Sequence, residues 1–145
     1  MLDNKYFMDV AKLTAKHSTC ARIEVGAVLV KENRIMSVGY NGVRSGKRHC
    51  KDMDWPKDKT EFKKEHGKWS QLNEFHAEAN ILSNAAKNGI STDNTELYVT
   101  LSPCVPCARM IINSGVKKVF FHKEYDRDKD GIDLLINNDV DVEQI

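Results

Sequence analysis

Two short stretches of the chain carry residues that could do chemistry: His76-Ala77-Glu78 and Pro103-Cys104-Val105-Pro106-Cys107. His76, Cys104 and Cys107 offer a nitrogen and two sulfurs, a donor set that suits Zn²⁺. Three protein ligands leave a fourth tetrahedral position for water, the arrangement of a catalytic rather than a structural site. Cys104 and Cys107 are three residues apart, so in the first turn of a helix they face the same way. A helix N-terminus favours anions and lowers thiol pKa values. Two thiolates reduce the charge a metal exerts on its water, and the helix ends partly restore it. Water held there is acidic enough to supply hydroxide near neutral pH. Glu78, not needed as a ligand, is left to move protons. His76 and Glu78 are two residues apart and do not share a helix face, so they belong where a helix starts. Two plainer alternatives stay open: a closed structural zinc site, and a core histidine with an unrelated Cys-x-x-Cys pair.

The elements that must position these residues follow from periodicity. Residues 2–17 read as a helix: Leu2, Tyr6, Val10, Leu13 and His17 recur at helical spacing, with Phe7, Ala11 and Thr14 widening the stripe. Asp3 or Asn4 can cap it. Residues 25–30 and 35–40 read as an antiparallel hairpin about a turn at 31–34, closed by Asn41-Gly42. Residues 43–73 are irregular and highly charged, with Trp55, Phe62 and Trp69 scattered among them, and read as a long insertion. A helix over 76–88 ends at Gly89. A strand over 96–101 leads to a helix over 104–114, with Met110 and Ile111 inside and Gly115 as its stop. A strand over 116–122, a short helix over 131–138 and a strand over 140–145 complete the chain. The order predicts a three-layer α/β/α fold around a mixed five-stranded sheet, in one domain over residues 1–145. Asp126-Arg127-Asp128-Lys129-Asp130-Gly131 imitates the start of a calcium loop, but position twelve is Asn137 and no helix pair flanks it. It reads as a turn and helix cap.

Composition narrows the function classes. A net charge of +1 argues against a large nucleic-acid footprint, yet permits a small phosphorylated ligand. The N-terminal stretch is amphipathic and carries acids, without the apolar core of a signal peptide. No run approaches the roughly 20 apolar residues of a membrane helix. A soluble cytoplasmic protein is the expectation. Four cysteines without a secretory signal point to metal binding or free thiols before disulfides.

The combination H-x-E…P-C-x-x-C marks zinc-dependent nucleobase deaminases. The chain resembles the deoxycytidylate (dCMP) deaminases of bacterial and phage type, within the wider cytidine deaminase superfamily. The likeness is carried by Ser18-Thr19-Cys20-Ala21-Arg22-Ile23-Glu24-Val25-Gly26-Ala27-Val28, Gly39-Tyr40-Asn41-Gly42, Asn73-Glu74-Phe75-His76-Ala77-Glu78 and Ser102-Pro103-Cys104-Val105-Pro106-Cys107. The resemblance implies hydrolysis of dCMP to dUMP and ammonia, supplying thymidylate synthesis. It implies a homo-oligomer, typically a hexamer, activated by dCTP and inhibited by dTTP. His76, Cys104 and Cys107 would hold the catalytic zinc, with Glu78 as proton shuttle. The Ala77 amide and Ser102 carbonyl would hold the pyrimidine edge. Arg22 would bind the 5′-phosphate, Asn41 a sugar hydroxyl, and Tyr125 would line the pocket.

Phage-type members carry a second, structural zinc on two Cys, a His and a Glu. The resemblance assigns it here to Cys20, Cys50, His66 and Glu74, with His49 as an alternative ligand. Such a site would staple the 43–73 insertion to the body of the domain. After Gly-Tyr-Asn-Gly, where many relatives have Ser-Pro, this chain has Val43-Arg44-Ser45-Gly46-Lys47-Arg48. The added cations open dCTP as a ligand or substrate. Other cytidine or adenosine substrates, and a non-catalytic zinc-stapled nucleotide-binding regulator, are the competing readings.

Overall fold

The structure, a computed structural model, describes residues 1–145. The first helix, α1 (Asn4–Ala15), is capped by Asp3, whose carboxylate accepts the Tyr6 N–H at 2.8 Å. β1 (Gly26–Lys31) and β2 (Arg34–Tyr40) form the antiparallel hairpin. Glu32 and Asn33 turn it with φ of 49° and 60°, the paired left-handed conformation that matches strand twist. After β3 (Gly42–Val43) comes a 3-10 turn at Cys50–Asp52, then α2 (Lys59–Asn73), β4 (Glu74–Phe75) and α3 (Ala77–Asn88). The last third of the chain is β5 (Thr95–Leu101), α4 (Val105–Asn113), β6 (Val116–Lys123), α5 (Asp130–Asn137) and β7 (Asp141–Gln144).

The five-stranded sheet runs β2-β1-β5-β6-β7. β1 is antiparallel to both neighbours, whereas β5, β6 and β7 are parallel, joined through α4 and α5. It is the mixed sheet of a three-layer α/β/α fold. Strand alternation divides its side chains between two apolar layers. Val28, Val30, Tyr98 and Phe120 meet Phe7, Met8 and Ala11 of α1. Ala27, Leu29, Leu97, Val99, Val119 and Phe121 meet Ile81, Ala108, Ile111 and Leu135 of the helices on the other face. Burial on both faces explains why β1 reads as a continuous apolar run.

Several sequence expectations change. The buried face of α1 is Phe7, Met8, Ala11, Thr14 and Ala15, whereas Leu2, Tyr6 and Leu13 are exposed. The helix lies so close to β1 that a Cβ at Gly26 would overlap the Ala11 carbonyl oxygen. Close approach selects the face with the small residues. Met110 is exposed while Ile111 is fully buried. The 43–73 segment is not irregular throughout: 15 of its residues form α2, capped by Asp58, whose carboxylate accepts the Glu61 N–H at 2.9 Å. Its inward positions are Phe62, His66 and Trp69, whose rings lie 5.4–5.7 Å from that of Trp55. One of those three anchors is a histidine, and Leu72, the one other large apolar residue of the helix, is exposed, so the sequence shows no apolar stripe. Asn41-Gly42 leads into β3, which pairs with β4 as Gly42↔Phe75 and Val43↔Glu74. The calcium-loop imitation is a turn, and its cap serves α4 rather than its own helix. Asp128 accepts the Val105 N–H at 2.7 Å.

Candidate active site

His76 is the N-cap of α3 and Cys104 the N-cap of α4. Two helix N-termini therefore point at one place, beside the carboxyl end of β5. His76 Nδ1 lies 3.4 Å from each of the Cys104 and Cys107 sulfurs. Ligands of a tetrahedral zinc, with Zn–N near 2.0–2.1 Å and Zn–S near 2.3 Å, sit about 3.6 Å apart. The spacing and the donor set fit that ion. The Cys104 sulfur and burial push Cys107 up, whereas the Cys107 thiol beside it holds Cys104 well below the ordinary thiol range. One proton therefore stays on the pair until a cation arrives.

Glu78, at the second position of α3, is 4% exposed. Burial pushes its carboxyl up to about 7, so it can hold or release a proton near neutral pH. Ala77, at the first position of α3, is fully buried, and its N–H is one of the first-turn donors that no intrahelical carbonyl accepts.

A second set gathers against the first. Donor atoms of Cys20, Cys50, His66 and Glu74 all lie within 4.8 Å of one another. His66 Nε2 is 3.3 Å from the Cys20 sulfur and 3.6 Å from Glu74 Oε2. Burial pushes the Cys20 thiol up to about 11 and the Cys50 thiol up to about 12, so neither ionises near neutral pH without a cation. His66 Nδ1 and Glu74 Oε1 are buried without a partner. Two thiols, an imidazole and a carboxylate closed off together fit a four-ligand zinc site. His49 lies outside the set, beside the Asp52 carboxylate at 3.7 Å. All four cysteines are buried, and the two sets differ in access at their histidines. Cys20, Cys50 and His66 are at most 3% exposed, whereas His76 is open.

A cavity of about 290 Å³ joins them. Arg22, Asn41, Ala77, Ser102 and Tyr125 all line it, with Glu78, His76 and Cys104. Asn41 is 6% exposed, and its amide is spent largely on backbone: Oδ1 accepts the Val25 N–H at 2.8 Å and Nδ2 donates to Ile23 O at 2.9 Å. It therefore shapes the Arg22–Val25 wall. Ser102 Oγ accepts the Tyr125 N–H at 2.7 Å, which docks the 125–128 turn on the loop before Cys104. Burial raises the Tyr125 hydroxyl above its ordinary pKa.

Among the lining residues to which the sequence gives no site role are Ser70 and Gln71 on α2, Phe75, and Arg127. Ser70 and Gln71 were hidden with the helix that carries them. Phe75 stands between Glu74 and His76, so an aromatic between two ligand candidates was an available signal. Arg127 was absorbed into the calcium-loop imitation.

Fold and site together define a zinc-binding hydrolytic centre of deaminase type. The sequence model described as "Cytidine and deoxycytidylate deaminase zinc-binding region" matches residues 1–123, and the chain belongs to that family. A deoxycytidylate deaminase of Enterobacteria phage T4 is 35% identical, over 90% of this chain and 83% of that protein. The Homo sapiens deoxycytidylate deaminase is 38% identical, over 87% of this chain and 67% of that protein. Among solved structures, the dCMP deaminase of cyanophage S-TIM5, described in complex with dCMP and dUMP, is similar with a TM-score of 0.82. It is 34% identical, and both chains are covered in full.

Proposed function

We propose that this protein hydrolyses dCMP to dUMP and ammonia, supplying thymidylate synthesis. The observation that carries the reading is one cavity in which buried Glu78 adjoins exposed His76 and buried Cys104, with Cys107 behind them and Arg22 as a cation. The relatives named as deoxycytidylate deaminases, and the phage enzyme with dCMP and dUMP, support the choice of substrate.

His76, Cys104 and Cys107 would hold one zinc, which would supply the acidification of the attacking water. Glu78 takes a proton from the attacking water and delivers it to N3 of the ring as oxygen adds to C4. It then carries the second water proton to the 4-amino nitrogen. The C4–N bond breaks, ammonia leaves with the electron pair, and the C4 carbonyl forms. The Ala77 N–H and Ser102 carbonyl hold the pyrimidine edge. Arg22 takes the 5′-phosphate through its fork of donors. Asn41 orders the Ile23–Val25 wall and offers its remaining amide hydrogen to a sugar hydroxyl, and Tyr125 closes the pocket.

Cys20, Cys50, His66 and Glu74 would hold a second, structural zinc, stapling the 43–73 segment into a single domain over 1–145. Activation by dCTP, inhibition by dTTP, a hexameric assembly and a cytoplasmic setting complete the proposal. No helix is long and apolar enough to cross a membrane. A second reading, turnover of dCTP as well, is favoured by Arg44, Lys47 and Arg48, which line a groove that shares Phe75 with the main cavity.

The test is ammonia release from dCMP, dCTP, deoxycytidine and an oligonucleotide side by side, with and without dTTP. Zinc per chain and solution mass are read on the same sample. The expected result is fastest turnover of dCMP and two zinc ions per chain. dCMP turning over no faster than deoxycytidine would overturn the substrate, and a wild type without ammonia release would leave only a zinc-stapled binding protein.

A further inference from the structure

This inference rests on the deamination reading above. Arg22 precedes β1, and Arg127 follows β6. β1 and β6 flank β5 on its two sides. β1 runs antiparallel to β5 and β6 parallel to it, so both arginines come to the carboxyl end of β5, where Ser102 and Cys104 emerge. Both line the cavity that holds Glu78 and His76. No ion pair of the chain includes either guanidinium. The neighbouring Lys129, by contrast, is paired with Glu124 at 3.9 Å.

Arg127 is also held in place by its neighbours. Two residues before it, the Tyr125 N–H donates to Ser102 Oγ at 2.7 Å. One residue after it, Asp128 accepts the Val105 N–H at 2.7 Å. The Asp128 N–H closes the turn on Tyr125 O at 3.3 Å. A Cβ at Gly131 would overlap the Pro103 carbonyl oxygen, so the segment lies tight on the loop that carries Cys104. The side chain between these anchors is exposed at the cavity rim. An unpaired arginine on an anchored turn, facing a site with a second unpaired arginine, is an arrangement for an anion rather than a solvated surface charge.

We propose that Arg127 is a second phosphate-binding residue, closing on the 5′-phosphate of the substrate together with Arg22. The pair sets the preference for a nucleotide over a nucleoside. Loss of a charge-assisted hydrogen bond weakens binding by about tenfold or more.

The experiment compares wild type, Arg127→Gln, Arg127→Lys and the control Lys129→Gln in steady-state assays on dCMP and deoxycytidine, with calorimetric dCMP binding and melting temperature. Arg127→Gln is expected to raise KM for dCMP about tenfold or more, a larger change than in kcat. The dCMP-over-deoxycytidine preference should shrink by a similar factor. Arg127→Lys should restore part of it, and Lys129→Gln should leave KM at the wild-type value. An unchanged dCMP KM in Arg127→Gln would overturn the inference. So would equal losses on both substrates, or a fall in kcat and melting temperature that Arg127→Lys does not relieve. Wild-type dCMP binding that depends on Arg127 without ammonia release would sink the deamination reading and keep the phosphate site.

Discussion

Glu78 and Asn41 show how differently two buried polar side chains serve one cavity. Glu78 has its carboxyl pushed up to about 7 by burial, beside three ligand atoms. Glu78→Gln keeps the shape and removes the proton carrier. It should lower kcat by about 10²- to 10⁴-fold with zinc content and melting temperature retained, read by ammonia release and elemental analysis. Asn41 instead bonds two backbone groups of the wall, at 2.8 and 2.9 Å. Asn41→Ala leaves the Val25 N–H and Ile23 carbonyl unsatisfied, which should cost about 2–4 kcal/mol. Denaturant unfolding should show that loss, with KM for dCMP rising as Arg22 loses its support. A full-activity Asn41→Ala of wild-type stability would remove this account.

At the scale of elements, the 3-10 turn and α2 depend on partners distant in sequence. Cys50 accepts the Ala21 N–H at 3.2 Å, and its carbonyl accepts the Trp55 indole N–H at 2.8 Å. Lys51 Nζ donates to Ser18 O at 2.8 Å. The cluster fastens this segment to Cys20, two residues from Arg22, and through Glu74 to the strand next to His76. Cys50→Ser should lower the zinc count from two to one, speed proteolysis within 43–73 and reduce activity indirectly. Full activity and an unchanged melting temperature in that variant would cut the link between the two centres. The α4 cap is a smaller effect. Asp128→Ala frees the Val105 N–H and should cost about 1 kcal/mol, or about 2–4 °C in melting temperature for a chain of this size.

For the whole molecule, metal binding and folding are linked. An ion that binds only the folded chain raises its stability by mass action. A closed four-ligand site contributes several kcal/mol, so exhaustive chelation should lower the melting temperature by more than about 10 °C, reversibly on adding Zn²⁺. The pH dependence has a definite sign. Without metal, the Cys20 and Cys50 thiols are raised to about 11 and about 12, so they are protonated at neutral pH. Zinc must displace those protons, and its affinity should rise with pH and fall on acidification. Competition with a chromophoric chelator across pH measures this, and a flat profile would contradict the thiolate assignment.

That His76, Cys104 and Cys107 belong together with Glu78 beside them was legible from residue type, spacing and the H-x-E…P-C-x-x-C pattern, because a metal constrains donors to a few atoms and a helix start constrains their order. The five strands of the large sheet and most helices were legible for a local reason, since apolar residues repeat with the period of the element that buries them, whereas the short β3 and β4 were not. α2 was not, since its inward residues are two aromatics and His66, and a histidine counts as apolar only when something else holds it. The buried face of α1 was not, because the helix carries apolar residues on two sides. Close packing on Gly26 selected Ala11 and Ala15 over Leu2, Tyr6 and Leu13. Cys20, Cys50, His66 and Glu74 were named from resemblance, and only long-range packing puts their donor atoms together. Arg127 depends on packing entirely. Nothing local marks it, and it joins Arg22 because strands on either side of β5 deliver both to one end of the sheet.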